Sequence, residues 1–302
     1  MWFKNALFYQ FTKPFELNQN ELEEQLGNFT FKPCGNTEIQ SYGWAPSLAP
    51  NAQNLVHQAG DFLLINLKKQ EKVLPASVVK ELLEEKCKTI EQAEGRKVKG
   101  KEKQNIKEEL IHSLLPQAFV KSSFTQAFIA KKSGFIIVDS ASSSKAEEIL
   151  AYLRKTLGTL PVVPLDIESP VMAELNEWVR GKTPANIELG AEVEFKDFAE
   201  DEGTIKAKNI ALDSDDIQNH LDTGKFVTKL AIDWDETLSC IIQDDLAIKR
   251  IKFSDELKGQ NDDITEDDHL AKLDADFILM SAELTRFIEY LAELFASQDQ
   301  EN

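Results

Sequence analysis

Six cationic side chains crowd the twelve residues from Arg96 to Lys107: Arg96, Lys97, Lys99, Lys101, Lys103 and Lys107, against one acid, Glu102. Cations at this density hold a polyanion, and nucleic acid is the commonest one. Lysine dominates, and an ammonium acts as a point charge on phosphate, whereas reading a base edge calls for the planar fork of arginine or a side-chain amide. The pattern therefore predicts binding that is sequence-independent and salt-sensitive. The same residues also fit a solvated hairpin tip with no partner. The contrast with the rest of the chain favours the first reading. Formal net charge is -18 over 302 residues, yet residues 68–132 hold 15 Lys/Arg against 9 Asp/Glu, and residues 185–302 hold 30 acids against 11 bases.

Other cations could extend this footprint. They are Lys68, Lys69 and Lys72; Lys121; Arg154 and Lys155; Lys206 and Lys208, which alternate and so share one face of a strand; Lys225 and Lys229, which share a face if extended; and Lys249, Arg250 and Lys252. Each alone is also an ordinary solvated side chain. Phe119, two residues before Lys121, is either core or a partner contact.

Catalytic chemistry has little support. There is no Walker-type phosphate loop, no Gly-x-Gly-x-x-Gly turn, no His-Glu-x-x-His pair and no Gly-x-Ser-x-Gly elbow. His57, His112, His220 and His269 are isolated. Asp233 with Asp235, Asp244-Asp245 and Asp262-Asp263 could be imagined as nuclease-type metal carboxylates, but chance pairs are expected where acids are this frequent. Neither a catalytic residue, a metal nor a cofactor is expected. Cys34, Cys87 and Cys240 are odd in number and far apart, which predicts three buried free thiols. No apolar run approaches the roughly 18 residues of a membrane span, and the N-terminus reads as a strand rather than a signal peptide. A cytoplasmic chain is expected.

The elements that must position the cations follow from periodicity. Strands are predicted at Ala6–Thr12, Asp61–Leu67, Phe124–Ala130 and Gly134–Asp139, the last two a β-hairpin around Lys131–Gly134. A short helix spans Asn20–Leu26, with Asn20 as N-cap and Gly27 as stop. From Pro75, apolar residues at Val78, Val79, Leu82, Leu83 and Ile90 take helical spacing. After a break between Gly95 and Gly100, a second helix carries Ile106, Leu110, Ile111, Leu114 and Leu115. This is an αα-hairpin whose tip bears the basic cluster. Arg96, Lys99, Lys103 and Lys107 keep helical spacing across the break. Helices follow at 146–157 and 170–180, with an extended 160–165 between them. The last third has strands at 192–195, 204–208, 226–233, 238–243 and 247–253, a helix at 214–221, and a final helix presenting Phe277, Met280, Leu284, Phe287, Ile288, Leu291 and Leu294. The fold class is α+β: a mixed central domain (1–74 and 116–181), an inserted helical-hairpin tip (75–115) and a base domain (182–302).

Longer segments carry a resemblance. They include Trp2-Phe-Lys-Asn5, Phe31-Lys-Pro-Cys-Gly35, Lys69-Gln-Glu-Lys-Val-Leu-Pro75, Leu110–Phe119, Leu157–Leu165, Gly224–Trp234, Ile248–Leu257 and Asp274–Met280. Through them the chain resembles, over essentially its whole length, the RdgC family of bacterial recombination-associated proteins. The resemblance implies a DNA-binding protein without known enzymatic activity. It implies a ring-shaped homodimer with a positively lined hole, which takes duplex DNA with little sequence preference and also single strands, and a nucleoid-associated place in the cell. It implies restraint of RecA-driven strand exchange and a part in replication-fork repair. An alternative is an inhibitor that acts on a recombinase by protein contact, with DNA contact secondary. By the same resemblance Phe119 matches an aromatic at the tip-side dimer contact, and Lys206 and Lys208 lie near the base-side one. The acids of the last third would then face away from the lining.

Overall fold

The computed structural model describes residues 1–167, 170–198, 203–264 and 268–295. The described chain is α+β, with two antiparallel sheets and eight α-helices. The first sheet contains β1 (Leu7–Phe11), β2 (Gln40–Ala45), β3 (Val56–Ala59), β4 (Phe62–Val73), β5 (Phe119–Ala130), β6 (Phe135–Val138) and β7 (Val162–Val163). Its order is β2-β4-β5-β6-β1-β7, with β3 paired to β4. The second sheet contains β8 (Ile187–Lys196), β9 (Thr204–Lys208), β10 (Phe226–Trp234), β11 (Leu238–Gln243) and β12 (Ile248–Phe253), in the order β12-β11-β10-β8-β9. The helices are α1 (Gln19–Gly27), α2 (Ala76–Glu94), α3 (Gly100–Leu114), α4 (Ser143–Leu157), α5 (Val171–Val179), α6 (Asp215–Asp222), α7 (Asp255–Gly259) and α8 (His269–Phe295).

Two compact units result. Unit 1 comprises Met1–Leu26, Pro46–Asn66 and Thr125–Asn302; unit 2 comprises Gly27–Ala45 and Leu67–Phe124. In unit 1, α8 buries a continuous apolar face. Phe277 meets Phe128 of the first sheet edge-on at 6.1 Å, and Phe287 meets Trp234 of the second at 4.9 Å. Each such side chain removed from water contributes about 1.5–3 kcal/mol. In unit 2, α2 and α3 are held together by Val79, Leu83 and Cys87 against Ile106 and Leu110. Gly43 is required in β2: a Cβ there would lie 2.2 Å from the Phe31 Cα.

Several expectations are corrected. Asn18, not Asn20, caps α1. Its Oδ1 accepts the Glu21 N–H at 3.0 Å, and the Glu21 carboxylate accepts the Asn18 N–H at 2.9 Å, the reciprocal pair of a capping box. The strand expected to end at Leu67 continues through Lys68, Lys69 and Lys72 to Val73, because its neighbours supply ladder partners that a polar stretch does not advertise. Strand β5 likewise begins at Phe119 rather than Phe124. Strands β2 and β3 lack a clean alternation, so periodicity does not disclose them. On α8, Phe295 is buried and Leu294 is exposed. Residue 295 lies five helical turns from Phe277 and so returns to the same face, whereas 294 falls to its side. Val78 is exposed for a similar reason, the stripe on α2 running through Val79, Leu83 and Cys87. Cys87 and Cys240 are buried free thiols, whereas Cys34 is only half-buried and lies 3.2 Å from the Gln70 carbonyl.

Candidate nucleic-acid interface

The basic cluster sits on the turn between α2 and α3, and its shape follows from three local contacts. Gly95 ends α2 at φ 66°, the left-handed conformation glycine adopts without penalty. The Glu91 carboxylate accepts the Val98 N–H at 3.0 Å, and Val98 packs into the hairpin core. Arg96 pairs with Glu94 at 2.6 Å and with both oxygens of Glu102 at 2.7 Å. That pairing holds the Glu102 carboxyl below its ordinary value. With Val98 turned inward and Arg96 clasped, Lys97, Lys99, Lys101, Lys103 and Lys107 are left exposed. Arg96 lies in the turn, off the helix, so the expected helical row starts only at Lys99, the residue preceding α3, and continues through Lys103 and Lys107.

Among the described residues, none of these five lysines is ion-paired. Three of them, Lys99, Lys101 and Lys103, crowd the start of α3. There the helix dipole disfavours cations by roughly 0.3–1 kcal/mol each. Local stability does not explain their placement.

The remaining cations of unit 2 differ among themselves. Lys68 lies over the Phe31 ring at 4.3 Å and the Phe124 ring at 5.6 Å. Lys69 lies over Tyr42 at 5.2 Å and 3.9 Å from Glu71. Lys72 and Lys121 make no ion pair among the described residues. Phe119 opens β5 with 86% of its surface exposed, on the same face as Lys121. Unit 2 holds 14 Lys/Arg against 10 Asp/Glu, a balance of +4 in a chain of net -18.

The candidates in unit 1 present a different arrangement. Lys206 and Lys208 do share one face of β9, as their alternation predicts, but so do acids of the neighbouring strand. Register sets Glu194 opposite Lys206 and Glu192 opposite Lys208, at 3.0 and 3.3 Å. Lys229 on β10 reaches Glu194 at 2.8 Å, and Arg250 on β12 reaches Glu192 at 2.5 Å. The Arg250 hydrogen bond chiefly holds the Glu192 carboxyl below its ordinary value. Burial alone would raise Glu194, but hydrogen bonds from Lys229 and Lys206 outweigh it and hold it low. Lys225 lies 4.0 Å from Asp197, and Lys249 is unpaired among the described residues. Glu192 and Glu194 therefore sit among the lysines of this face. Sequence reasoning missed both, although their Glu-x-Glu spacing opposite Lys-x-Lys was the available signal. It also passed over Lys80, on the exposed side of α2.

One member of each acid pair is engaged. Asp235 holds Arg286 at 2.6 Å, Asp262 lies 3.7 Å from Lys272, and Asp245 accepts the Ala247 N–H at 3.0 Å. Burial and Glu188 push the Asp233 carboxyl up; burial and Asp245 do the same to Asp244. Among the described residues no three His, Cys, Asp or Glu side chains converge where they could hold a metal ion. Burial raises the Cys240 thiol well above its ordinary value, which makes it a poor nucleophile. No described helix is long and apolar enough to cross a membrane.

Comparison with known proteins bears on this site. A family described as "Putative exonuclease, RdgC" matches residues 1–298. A protein of Aeromonas hydrophila subsp. hydrophila, named recombination-associated protein RdgC, is 46% identical over 301 residues, covering 99% of both chains. Proteins of the same name from Tolumonas auensis and Salmonella typhimurium are 43% and 44% identical, covering all and 99% of both chains respectively. Agreement at this level, from one end of the sequence to the other, makes the chain a member of the RdgC family.

Proposed function

We propose that this protein is a non-enzymatic, largely sequence-independent DNA-binding protein. It forms a ring-shaped homodimer around duplex DNA, also takes single strands, and modulates RecA-dependent recombination and replication-fork repair. The observation that carries the reading is the segregation of unpaired cations. Among the described residues, eight of the ten candidate cations of unit 2 lack an ion pair (Lys68, Lys72, Lys97, Lys99, Lys101, Lys103, Lys107 and Lys121), whereas Lys206, Lys208, Lys225, Lys229 and Arg250 of unit 1 are all paired. An unpaired lysine can release a counterion from phosphate on binding, whereas a paired one must first give up its carboxylate. The recombination-associated name of the relatives supports the cellular part of the reading. The three-part division into a central domain, a hairpin tip and a base belongs to the same proposal, with Phe119 at the tip-side contact.

The test is binding to circular duplex and to single strands over a range of salt. The expected log–log slope is about -0.9 per phosphate contact on duplex and about -0.7 on single strands. A flat response on both overturns the reading. Incubation of linear and circular duplex with Mg²⁺ or Mn²⁺ should leave the DNA intact; progressive loss of nucleotides from the ends would replace the binding protein with a nuclease.

A further inference from the structure

The neighbouring strands β4 and β5 supply residues 67–73 and 119–124 to unit 2, and the two faces they form differ in chemistry. Alternation puts Phe119 and Lys121 on one face and Ser122 and Phe124 on the other. Two contacts mark out that second face. Gln70 Nε2 lies 3.5 Å from Ser122 Oγ, and Lys68 Nζ lies 5.6 Å from the centre of the Phe124 ring. Lys72 shares it by the same alternation along β4. Glu71 stands on the opposite face, 3.9 Å from Lys69.

A second ring is held against Lys68 by backbone bonds. The Phe31 N–H donates to the Trp44 carbonyl at 2.9 Å, and the Cys34 N–H donates to the Gln70 side-chain oxygen at 2.8 Å. Phe31 is thereby fixed with its ring centre 4.3 Å from Lys68 Nζ. Among the described residues Lys68 makes no ion pair. Phe124, on its other side, keeps 59% of its surface exposed.

An exposed ring beside a cation without a carboxylate calls for two kinds of partner at once. Phosphate answers the ammonium, and a flat apolar surface answers the ring. Duplex DNA supplies the phosphate, but its bases are stacked on one another and leave no face for a side chain. A neutral aromatic ligand covers the ring and leaves the charge unanswered. A nucleotide of a single strand brings both, a charged phosphate and an unpaired base with an open π-face.

We propose that Phe124, backed by Lys68 and Phe31, is a stacking site for an unpaired base of single-stranded DNA. The inference rests on the DNA-binding reading and adds to it a means of telling single strands from duplex. Lysine contacts to phosphate serve both forms, whereas the ring serves one. Every base has a π-face, so the site takes any sequence. Because Phe31 and Lys68 are already fixed, little side-chain freedom is lost on binding.

The test uses the full-length chain and three fluorescein-labelled ligands of equal length: oligothymidylate of about sixteen nucleotides, an abasic strand with the same backbone, and a duplex. Anisotropy should show thymidylate binding about five-fold or more tightly than the abasic strand, and that ratio should persist as salt is raised, since stacking releases no counterion. Phe124→Leu should weaken thymidylate binding by about five-fold or more while abasic and duplex affinities stay within about two-fold. Phe124→Trp, which keeps a ring, should retain thymidylate affinity. Equal binding of thymidylate and abasic strands by the unaltered protein would reduce the site to charge and overturn the proposal. So would a Phe124→Leu variant that leaves thymidylate affinity unchanged or weakens duplex binding equally. A lower assembly mass for Phe124→Leu by light scattering would assign the ring to a second copy of the chain and exclude the base. If neither strand nor duplex binds, the DNA reading fails and takes this site with it. If duplex binds with a steep salt slope and Phe124→Leu changes nothing, this site alone fails.

Discussion

Arg96 and Lys97 are adjacent and alike in charge, yet their surroundings give them different work. Arg96 is matched by Glu94 and Glu102 and closes the turn, whereas Lys97 makes no ion pair among the described residues. Replacing Lys97, Lys99 and Lys101 together by Ala should lower the salt slope for duplex binding by up to about 0.9 for each phosphate no longer neutralised. Arg96→Ala should change that slope less and should lower thermal stability instead. An equal slope change from Arg96 alone would mean that the clasp opens on DNA. Gly43 supports a second prediction at this scale. With Phe31 backbone 2.2 Å from its absent Cβ, Gly43→Ala forces a backbone shift and should cost about 1–3 kcal/mol in denaturant unfolding. Residue type alone revealed the cluster and its preference for phosphate. It did not reveal which cations are already matched, because Arg96 meets its acids through a turn and Lys206 meets Glu194 through strand register.

Strands β8, β9, β10 and β12 hold Glu192 and Glu194 among Lys206, Lys208, Lys229 and Arg250, so this face carries both signs of charge and is largely self-neutralised. Glu192→Gln with Glu194→Gln removes two negative charges and frees four cations. If the face lies on the DNA path, duplex affinity at low salt should rise by about ten-fold or more; an unchanged affinity would remove Lys206, Lys208, Lys229 and Arg250 from the interface. The two carboxyls titrate below their ordinary value in the folded protein, so they add stability above the unfolded-state value and lose it as pH falls through the folded one. The stability gap between wild type and the double variant should therefore narrow below about pH 4, as followed by thermal unfolding. Periodicity made α2, α3, α4 and most strands of the second sheet legible. It missed β2 and β3, and it ended β4 and began β5 too near the apolar run, since polar strand halves owe their form to neighbouring strands rather than to their own alternation.

At the level of the whole molecule, Phe119 presents 86% of its surface, with Val120 and Phe124 also exposed on the same strand. An aromatic side chain this exposed suits a subunit contact. Phe119→Ser should lower the mass of the assembly measured by light scattering and weaken retention on circular duplex more than binding to short linear duplex. Unchanged mass would move the contact elsewhere. The division into two units has a consequence for how the chain is made. Every residue of unit 2 has been synthesised by Phe124, whereas β1 must wait for β6, at Phe135–Val138, and the core of unit 1 must wait for α8, which ends at Phe295. On a ribosome emitting about 5–20 residues per second, that interval lasts roughly ten seconds or more, with the early strands of unit 1 short of their full packing throughout. The nascent chain thus passes through a stage in which its basic portion is complete and its acidic portion is not, and its charge changes sign during its own synthesis.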